Sequence, residues 1–462
     1  MKNSITHHLK NKSFYMIGIG GAGMMGIAEL LHNLGFTVHG SDIDNTSSVK
    51  RLRKLKIKVY IGHNPKNIKK DDIIIFSNAI KKNNIEMSFA RINNMTILSR
   101  MEILSELMRL KYGISITGSH GKTTTTSLLS HILYKNHLDP TYLIGGMLKT
   151  DDPHVKLGNS SYLITETDES NPDFTKLKPH LVAITNLDAE HLDNYNNSFS
   201  NLLSCMREFI KSIPFYGKVF INGDDKNSLN LSKNINRNIF TFGFKKNNDL
   251  RASNILYSEN KMKFNVHYNK KTYSVSTKLL GQHNVYNVLT AMAVCIFIGI
   301  KPSSIINSLT SFHGVSRRFD IHKEIFINNK KVLTIDDYGH HPSEIQSTIA
   351  TITEVYPSKK ILIVFQPHRY SRTKSSWREM LKVLNDTNKI ILLPTYSAGE
   401  KKTMYDSEFL YKKLKAKNKI YLKSLRNVKK TIEEFIDEDT VLLLQGAGDI
   451  RNIINLFDND SK

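Results

Sequence analysis

A chain of 462 residues, 40% of them apolar, is long enough for two to four domains and too apolar for global disorder. The formal net charge of +23 invites a nucleic-acid partner, but the lysines lie scattered among asparagine and isoleucine without aromatic interleaving or a nucleic-acid motif, so small anionic substrates fit the charge as well. No apolar run approaches the length of a membrane span.

The N-terminus passes from a few polar and basic residues into a strand-like run, Phe14-Tyr15-Met16-Ile17-Gly18, rather than into a leader peptide. From there to about residue 110, short apolar strands at 14–18, 36–40, 58–61, 73–77 and 96–98 alternate with helical stretches, which predicts a parallel sheet flanked by helices. The basic run from Lys50 to Lys56 carries Leu52 and Leu55 and reads as an amphipathic helix with a solvated face. Between the first strand and first helix, Gly18-Ile19-Gly20-Gly21-Ala22-Gly23 satisfies Gly-x-Gly-x-x-Gly, and Ser41-Asp42 closes the next strand. Such a loop offers a helix N-terminus to a diphosphate and a carboxylate to a ribose. UDP meets those requirements as well as NAD does.

A second section, residues 111–314, begins with a strand at 112–117. It leads into Gly118-Ser119-His120-Gly121-Lys122-Thr123-Thr124, which opens a helical pattern of Leu128, Leu129, Ile132 and Leu133. Strand, glycine turn and Lys-Thr at a helix start form a nucleotide-phosphate loop: backbone N–H groups and the helix dipole face the anion, lysine meets the terminal phosphates, and the first threonine hydroxyl suits Mg²⁺. The spacing is two residues shorter than the common P-loop. Strands follow at 162–165, 181–185 and 219–222, and polar alternation over 251–278 predicts an antiparallel patch. Cys205 and Cys295 sit in helix-like apolar patterns and read as buried thiols of a reducing, cytoplasmic compartment. The last section, residues 315–462, repeats the α/β rhythm with strands at 332–335, 361–365, 390–393, 420–422 and 441–444. Two phosphate loops, one with Lys-Thr and one without, point to an ATP-driven enzyme acting on a nucleotide-linked substrate. A nicotinamide-dependent oxidoreductase would leave Lys122 idle.

Several further motifs accompany the loops: Glu166-Thr-Asp-Glu-Ser170, Thr185-Asn186 with His191, Gly281-Gln-His-Asn284, Arg317-Arg-Phe-Asp320, Asp336-Asp-Tyr-Gly-His-His-Pro342 and Gln366-Pro-His-Arg-Tyr-Ser-Arg372. In this order, from about Phe14 to the end of the chain, they resemble the Mur ligases, the ATP-dependent amino-acid ligases of peptidoglycan precursor synthesis. The resemblance implies three consecutive α/β domains: a Rossmann-like N-terminal domain (1–110) for the UDP-sugar, a P-loop-type central ATPase domain (111–314) and a Rossmann-like C-terminal domain (315–462) for the amino acid. It implies ATP, UDP-N-acetylmuramate and L-alanine as substrates, Mg²⁺ or Mn²⁺ as cofactor, no nucleic-acid or membrane partner, and a monomer or weak homodimer.

By the same resemblance, Gly18, Gly20, Gly21, Gly23, Ser41 and Asp42 hold the UDP-sugar. Gly118, Ser119, His120, Gly121, Lys122, Thr123 and Thr124 hold the ATP phosphates, with His283, Asn284 and Asn287 against adenine. Arg318 and Asp337 are a phosphate contact and a ribose partner. Thr123, Glu166 and His191 surround metal, so Lys122, Glu166 and His191 carry the chemistry. Tyr338, His340, His368, Arg369 and Arg372 receive the amino acid, the arginines through fork-like bonds to its carboxylate. Alternatives bear on these assignments: Asn284 as an ordinary helix N-cap, His191 as a surface histidine, Asp336-Asp337 as acids that cap a strand end, Arg372 as a helix cap or the arginines as holders of ATP or the acyl phosphate, and a ligase branch that attaches whole peptides, which the short loop after His368 does not decide. The chain departs from the family at Ser119, where threonine or cysteine is usual, and at Ala189-Glu190, where Pro-Asp is common. Whether it needs the carbamylated lysine of some relatives is not legible in sequence.

Overall fold

The computed structural model describes residues 12–457 except 78, 82, 145–154, 191, 234, 259–260, 329 and 438. The described residues form three sheets. In the first section β1 (Ser13–Ile17), β2 (Thr37–Asp42), β3 (Lys58–Ile61), β4 (Asp72–Phe76) and β5 (Ile97–Ser99) lie in the order β3-β2-β1-β4-β5, all parallel. Helices α1 (Ala22–Asn33), α2 (Ser47–Lys54), α3 (Ile85–Ile92) and α4 (Arg100–Arg109) make the crossovers. The strand order reverses beside β1, so the loop after β1 opens into the crevice where such sheets bind ligands. In the basic run, Val49 and Leu52 of α2 are wholly buried and the charges point outward, as its periodicity predicts.

The second sheet orders ten strands as β15-β14-β13-β12-β11-β10-β6-β9-β7-β8. Their ranges are β6 Tyr112–Thr117, β7 Thr141–Leu143, β8 Val155–Lys156, β9 Tyr162–Glu166, β10 Leu181–Ile184, β11 Lys218–Asn222, β12 Ile239–Gly243, β13 Leu250–Ser258, β14 Lys261–Tyr268 and β15 Lys271–Thr277. Strand β6 runs parallel between β9 and β10, and its C-terminal end feeds α5 (Lys122–Lys135), whose Leu128, Leu129, Ile132 and Leu133 are all inaccessible to solvent. Strands β14 and β15 are neighbours joined through Asn269 and Lys270, both at positive φ (47° and 61°), the two-residue turn that reverses a hairpin. The antiparallel patch is therefore present at the sheet edge. Helices α6 (Phe199–Lys211), α7 (Lys226–Ser232), α8 (Gln282–Phe297) and α9 (Pro302–Thr310) complete this section. Cys295 is buried within α8, whereas Cys205 on α6 is only half-buried, at the edge of that helix's buried face between exposed Ser204 and Glu208 and buried Leu202 and Phe209.

In the third sheet β16 (Asp320–Ile327), β17 (Lys330–Asp337), β18 (Lys360–Phe365), β19 (Lys389–Leu392), β20 (Asn418–Tyr421) and β21 (Thr440–Gln445) follow the order β16-β17-β21-β18-β19-β20. All pairs are parallel except β16 with β17, an edge hairpin absent from the expected strands. Strand β21 inserts between β17 and β18, which places the switch point of this sheet at the carboxyl ends of those strands. Helices α10 (Pro342–Val355), α11 (Tyr370–Asn385), α12 (Ser407–Lys413) and α13 (Val428–Phe435) cover it. The chain packs as two compact units: one holds the first two sections up to Ser253 with residues 265–275 and 286–312, the other holds residues 254–264, 276–285 and 313–462. Among the described residues no helix is long and apolar enough to cross a membrane.

Candidate active site

The first phosphate loop leaves β1 at Gly18, whose φ of +76° is open to glycine at little cost. Gly18 and Ile19 donate their N–H groups to the Ser41 carbonyl, and Gly20 donates to Asp42 Oδ2 at 2.7 Å. The carboxylate expected to meet a ribose is thus docked on the loop itself. The Ser41 hydroxyl is sealed from solvent and donates to Glu86 Oε2 at 2.6 Å, with His63 at 3.0 Å. Glu86 is also buried, and its other oxygen accepts from Tyr15 and from the Asn64 N–H. Ser41 therefore shapes the loop through its carbonyl, with its hydroxyl bonded inside the fold. The basic residues of α2 point elsewhere, Arg51 to Glu29 and Arg53 to the Val59 carbonyl.

The second loop shows why its glycines stand where they do. Gly118 and Gly121 have φ of +126° and +82°, and a Cβ on Gly121 would lie 2.3 Å from Asn287 Oδ1. The turn is clamped from behind: Thr185 Oγ1 donates to the His120 carbonyl at 2.6 Å, while Asn186 accepts from the His120 N–H and donates to the same carbonyl. Ser119 accepts the Asp188 N–H at 2.8 Å through its hydroxyl. Glu190, at the departure from Pro-Asp, places Oε1 2.9 Å from His120 Nε2, with Asp188 at 3.1 Å.

Lys122 heads α5 and sets Nζ 3.0 and 3.1 Å from the two oxygens of Glu169, and it also donates to the Gly118 carbonyl. Burial opposes the ammonium charge, but Glu169, Asp168 and Glu166 outweigh it and hold the lysine protonated above its ordinary range. Burial pushes Glu169 upward against the pull of Lys122. Thr123 Oγ1 donates to Glu166 Oε2 at 3.1 Å. Two of the three expected metal groups therefore meet, while His191 lies outside the described residues. A hydroxyl and a carboxylate beside a phosphate loop are the hard oxygen donors that Mg²⁺ prefers. Glu169 was missed as a functional residue. Its signal was a second acid three positions beyond Glu166, on the loop after a strand that neighbours the phosphate strand.

Asn287 lies against this loop and accepts from Thr125 at 3.2 Å. Asn284 is not the helix N-cap, for it falls inside α8, and its Nδ2 donates to the Leu280 carbonyl at 2.7 Å and meets the His283 ring at 3.1 Å.

In the second unit, Asp337, expected as a ribose partner, ends β17. It is buried, with Oδ2 accepting from Phe319 N–H and Oδ1 from Gly339 N–H and Gln445 Nε2. The carboxylate ties β17, β21 and two turns together. Arg318 packs over the Tyr338 ring at 5.2 Å and bonds Glu344 at 3.4 Å. Its neighbour Arg317, which the sequence did not single out for a role, donates to the Gly446 carbonyl at 2.6 Å. Burial raises the neighbouring Asp336 to about 6 against the pull of Arg317.

The amino-acid set converges at the switch point. Tyr338 and His340 have ring centroids 5.6 Å apart, His340 and His368 likewise 5.6 Å, and His368 stacks on Tyr396 at 5.5 Å. Arg372 Nη1 donates to His368 Nδ1 at 3.1 Å, so it reaches across the loop rather than capping α11. His340 Nδ1 donates to the Tyr338 carbonyl at 3.1 Å. Burial, reinforced by Arg372, lowers His340 to about 3 and His368 to about 4, so both rings are neutral at neutral pH. Arg369 has φ of +68°, donates its N–H to the Tyr396 carbonyl and leaves its side chain exposed.

Three family models match in the same order: the Mur ligase family catalytic domain over residues 13–112, the Mur ligase middle domain over 116–295 and the Mur ligase glutamate ligase domain over 317–448. The chain is similar to the UDP-N-acetylmuramate–L-alanine ligase of Legionella pneumophila, 40% identical over 453 residues, 97% of each chain. It is similar to that of Hydrogenovibrio crunogenus, 39% identical over 444 residues, 95% of this chain and 96% of the relative. Among solved structures, the UDP-N-acetylmuramate–alanine ligase of Thermotoga maritima superposes with a TM-score of 0.80 at 29% identity, over 97% of this chain and 98% of that one. A murein peptide ligase from Psychrobacter arcticus shares the fold, with a TM-score of 0.69 at 20% identity and 97% and 98% coverage. The chain belongs to the Mur ligase family.

Proposed function

We propose that this protein joins L-alanine to the lactoyl carboxylate of UDP-N-acetylmuramate, using ATP and releasing ADP and phosphate in peptidoglycan precursor synthesis. A carboxylate is a poor electrophile in water. Its oxygen first takes the γ-phosphoryl group to give an acyl phosphate; the amine then attacks the carbonyl carbon, and phosphate leaves from a tetrahedral intermediate. The protein's share is placement and charge neutralisation.

The observation that carries the reading is the convergence of Lys122, Thr123 and Glu166 on one glycine loop, in a chain with relatives at 39–40% identity over nearly its whole length. Lys122 moves from Glu169 to the terminal phosphates. Thr123 and Glu166, with His191, would hold Mg²⁺, which when bound screens the phosphates from the incoming carboxylate. His283, Asn284 and Asn287 go to adenine, and Arg318 to phosphate. Tyr338, His340, His368, Arg369 and Arg372 receive alanine, with the neutral His340 ring, whose Nδ1 donates to the Tyr338 carbonyl, able to accept from its amine at Nε2. Gly18, Gly20, Gly21, Gly23 and Asp42 take the sugar nucleotide. Ser41 goes with the sugar-nucleotide set and Asp337 with the ATP ribose, each also tied into the fold by its own hydrogen bonds. We place the reaction in the cytoplasm, without nucleic-acid or membrane partners, in a monomer or weak homodimer, with domains near 1–110, 111–314 and 315–462.

The test is phosphate release by the purified protein with ATP, Mg²⁺, UDP-N-acetylmuramate and a panel of amino acids. Release that requires both the sugar nucleotide and L-alanine is expected. Equal turnover without the sugar nucleotide, or turnover that depends on a polynucleotide, would overturn the proposal.

A further inference from the structure

Among the described residues, Arg100 makes no hydrogen bond or ion pair with any other group, although it is partly buried and carries five N–H donors. It is the first residue of α4, directly after the Ser99 cap, and its guanidinium lies over the first phosphate loop. A Cβ built on Gly23 would come within 1.8 Å of Arg100 Nη1 and 2.9 Å of Cζ. None of its nitrogens is among the sealed, unpartnered polar atoms, so the fork keeps some contact with solvent. Burial disfavours its charge, and the only compensating field is that of Asp168, beyond ion-pair contact.

A cation held this way costs stability in the empty protein, and folded chains rarely keep one without a use. The loop it covers lacks charge compensation of its own. The first turn of α1 offers only dipole and N–H groups, one loop N–H is already taken by Asp42, and Arg51 and Arg53 are engaged elsewhere. A diphosphate arriving there meets the Asp42 carboxylate and needs a counter-charge. A planar fork above the glycine helix start is the group that matches two phosphate oxygens at once.

We infer that Arg100 is a binding residue for the diphosphate of a nucleoside diphosphate at the Gly18–Gly23 loop, closing over the anion from the α4 side. The inference rests on the proposed use of this loop for a sugar nucleotide and names the side chain that supplies the charge the loop lacks.

The experiment is calorimetric titration of UDP into the wild-type protein, Arg100→Gln and Arg100→Lys, with ATP titrated in parallel and the melting temperature of each protein measured without ligand. Loss of roughly ten- to a hundredfold in UDP affinity is expected for Arg100→Gln, with a smaller loss for Arg100→Lys, which keeps charge but not the fork. ATP affinity stays within about twofold, and the melting temperature of Arg100→Gln stays equal or rises, since no partner is orphaned. A buttressing role for Arg100 would instead lower the melting temperature and weaken both nucleotides together, and that result overturns the inference. So does unchanged UDP affinity in both variants while the wild type binds UDP. A wild-type protein that binds no UDP would remove the sugar-nucleotide reading of the loop as well.

Discussion

Lys122 and Glu169 allow the chemical role of a lysine to be separated from its structural one. Under the proposed function, replacing Lys122 by alanine removes a cation that serves the γ-phosphate. At about 4 Å and an effective dielectric near 20, that attraction is worth about 4 kcal/mol, so kcat/KM should fall by roughly three orders of magnitude. The same change strands Glu169, which is 4% exposed and keeps only the Gly118 N–H and Thr117 hydroxyl at 3.4 and 3.5 Å. Removing one partner of a buried pair costs about 3–5 kcal/mol. The lysine side chain is 19% exposed, which moderates the loss to about 2–3 kcal/mol, or roughly 4–12 °C in the transition of this domain. The sign with pH follows from burial. Glu169 already titrates above its ordinary range, and without Lys122 it rises further. A carboxyl raised in the folded state destabilises as pH climbs through its folded value, so the variant's deficit should shrink from pH 8 to pH 5. Adding Glu169→Gln to Lys122→Ala should restore most of the melting temperature and none of the activity. Differential scanning fluorimetry across pH, with phosphate-release kinetics on the same three proteins, makes the comparison. Near-normal turnover by Lys122→Ala, or a double variant as unstable as the single one, would refute the reasoning.

Arg372→Lys keeps a charge but loses the planar fork that bonds His368 at 3.1 Å. Its KM for alanine should rise roughly ten- to a hundredfold with a smaller change for ATP, and steady-state titration showing the reverse pattern would assign the arginine to phosphate instead. His340, lowered by burial to about 3, gains protons more readily unfolded than folded below about pH 6.5. Stability of the third domain should therefore decline from pH 6.5 toward pH 4, and His340→Gln should flatten that slope in a melting series. An unchanged slope would mean that the ring is charged and solvated in the folded protein.

The two phosphate loops were legible in sequence because their signals are local. A strand of five or six residues, glycines at the turn and a helix start within a dozen positions of one another specify backbone donors, and Gly118, Gly121 and Lys122 need no distant partner to be recognised. The parallel strands were legible for the same reason, since a buried strand announces itself as an apolar run. Polar partnerships across long sequence separations were not. Glu169 meets Lys122 over 47 positions, Gln445 meets Asp337 over 108, and Arg100 reaches Gly23 only through the crossover that lays α4 beside the first loop. A carboxylate reads alike in sequence whether it faces a ligand or ties turns together, so the bonds that Asp337 and Ser41 make inside the fold were not legible from their positions. Chain order alone thus determined which segments form glycine turns at a helix start, because a helix N-terminus is made by consecutive residues. Tertiary structure decided which side chains remain available to a ligand, because availability is what remains after every buried donor and acceptor has found its partner.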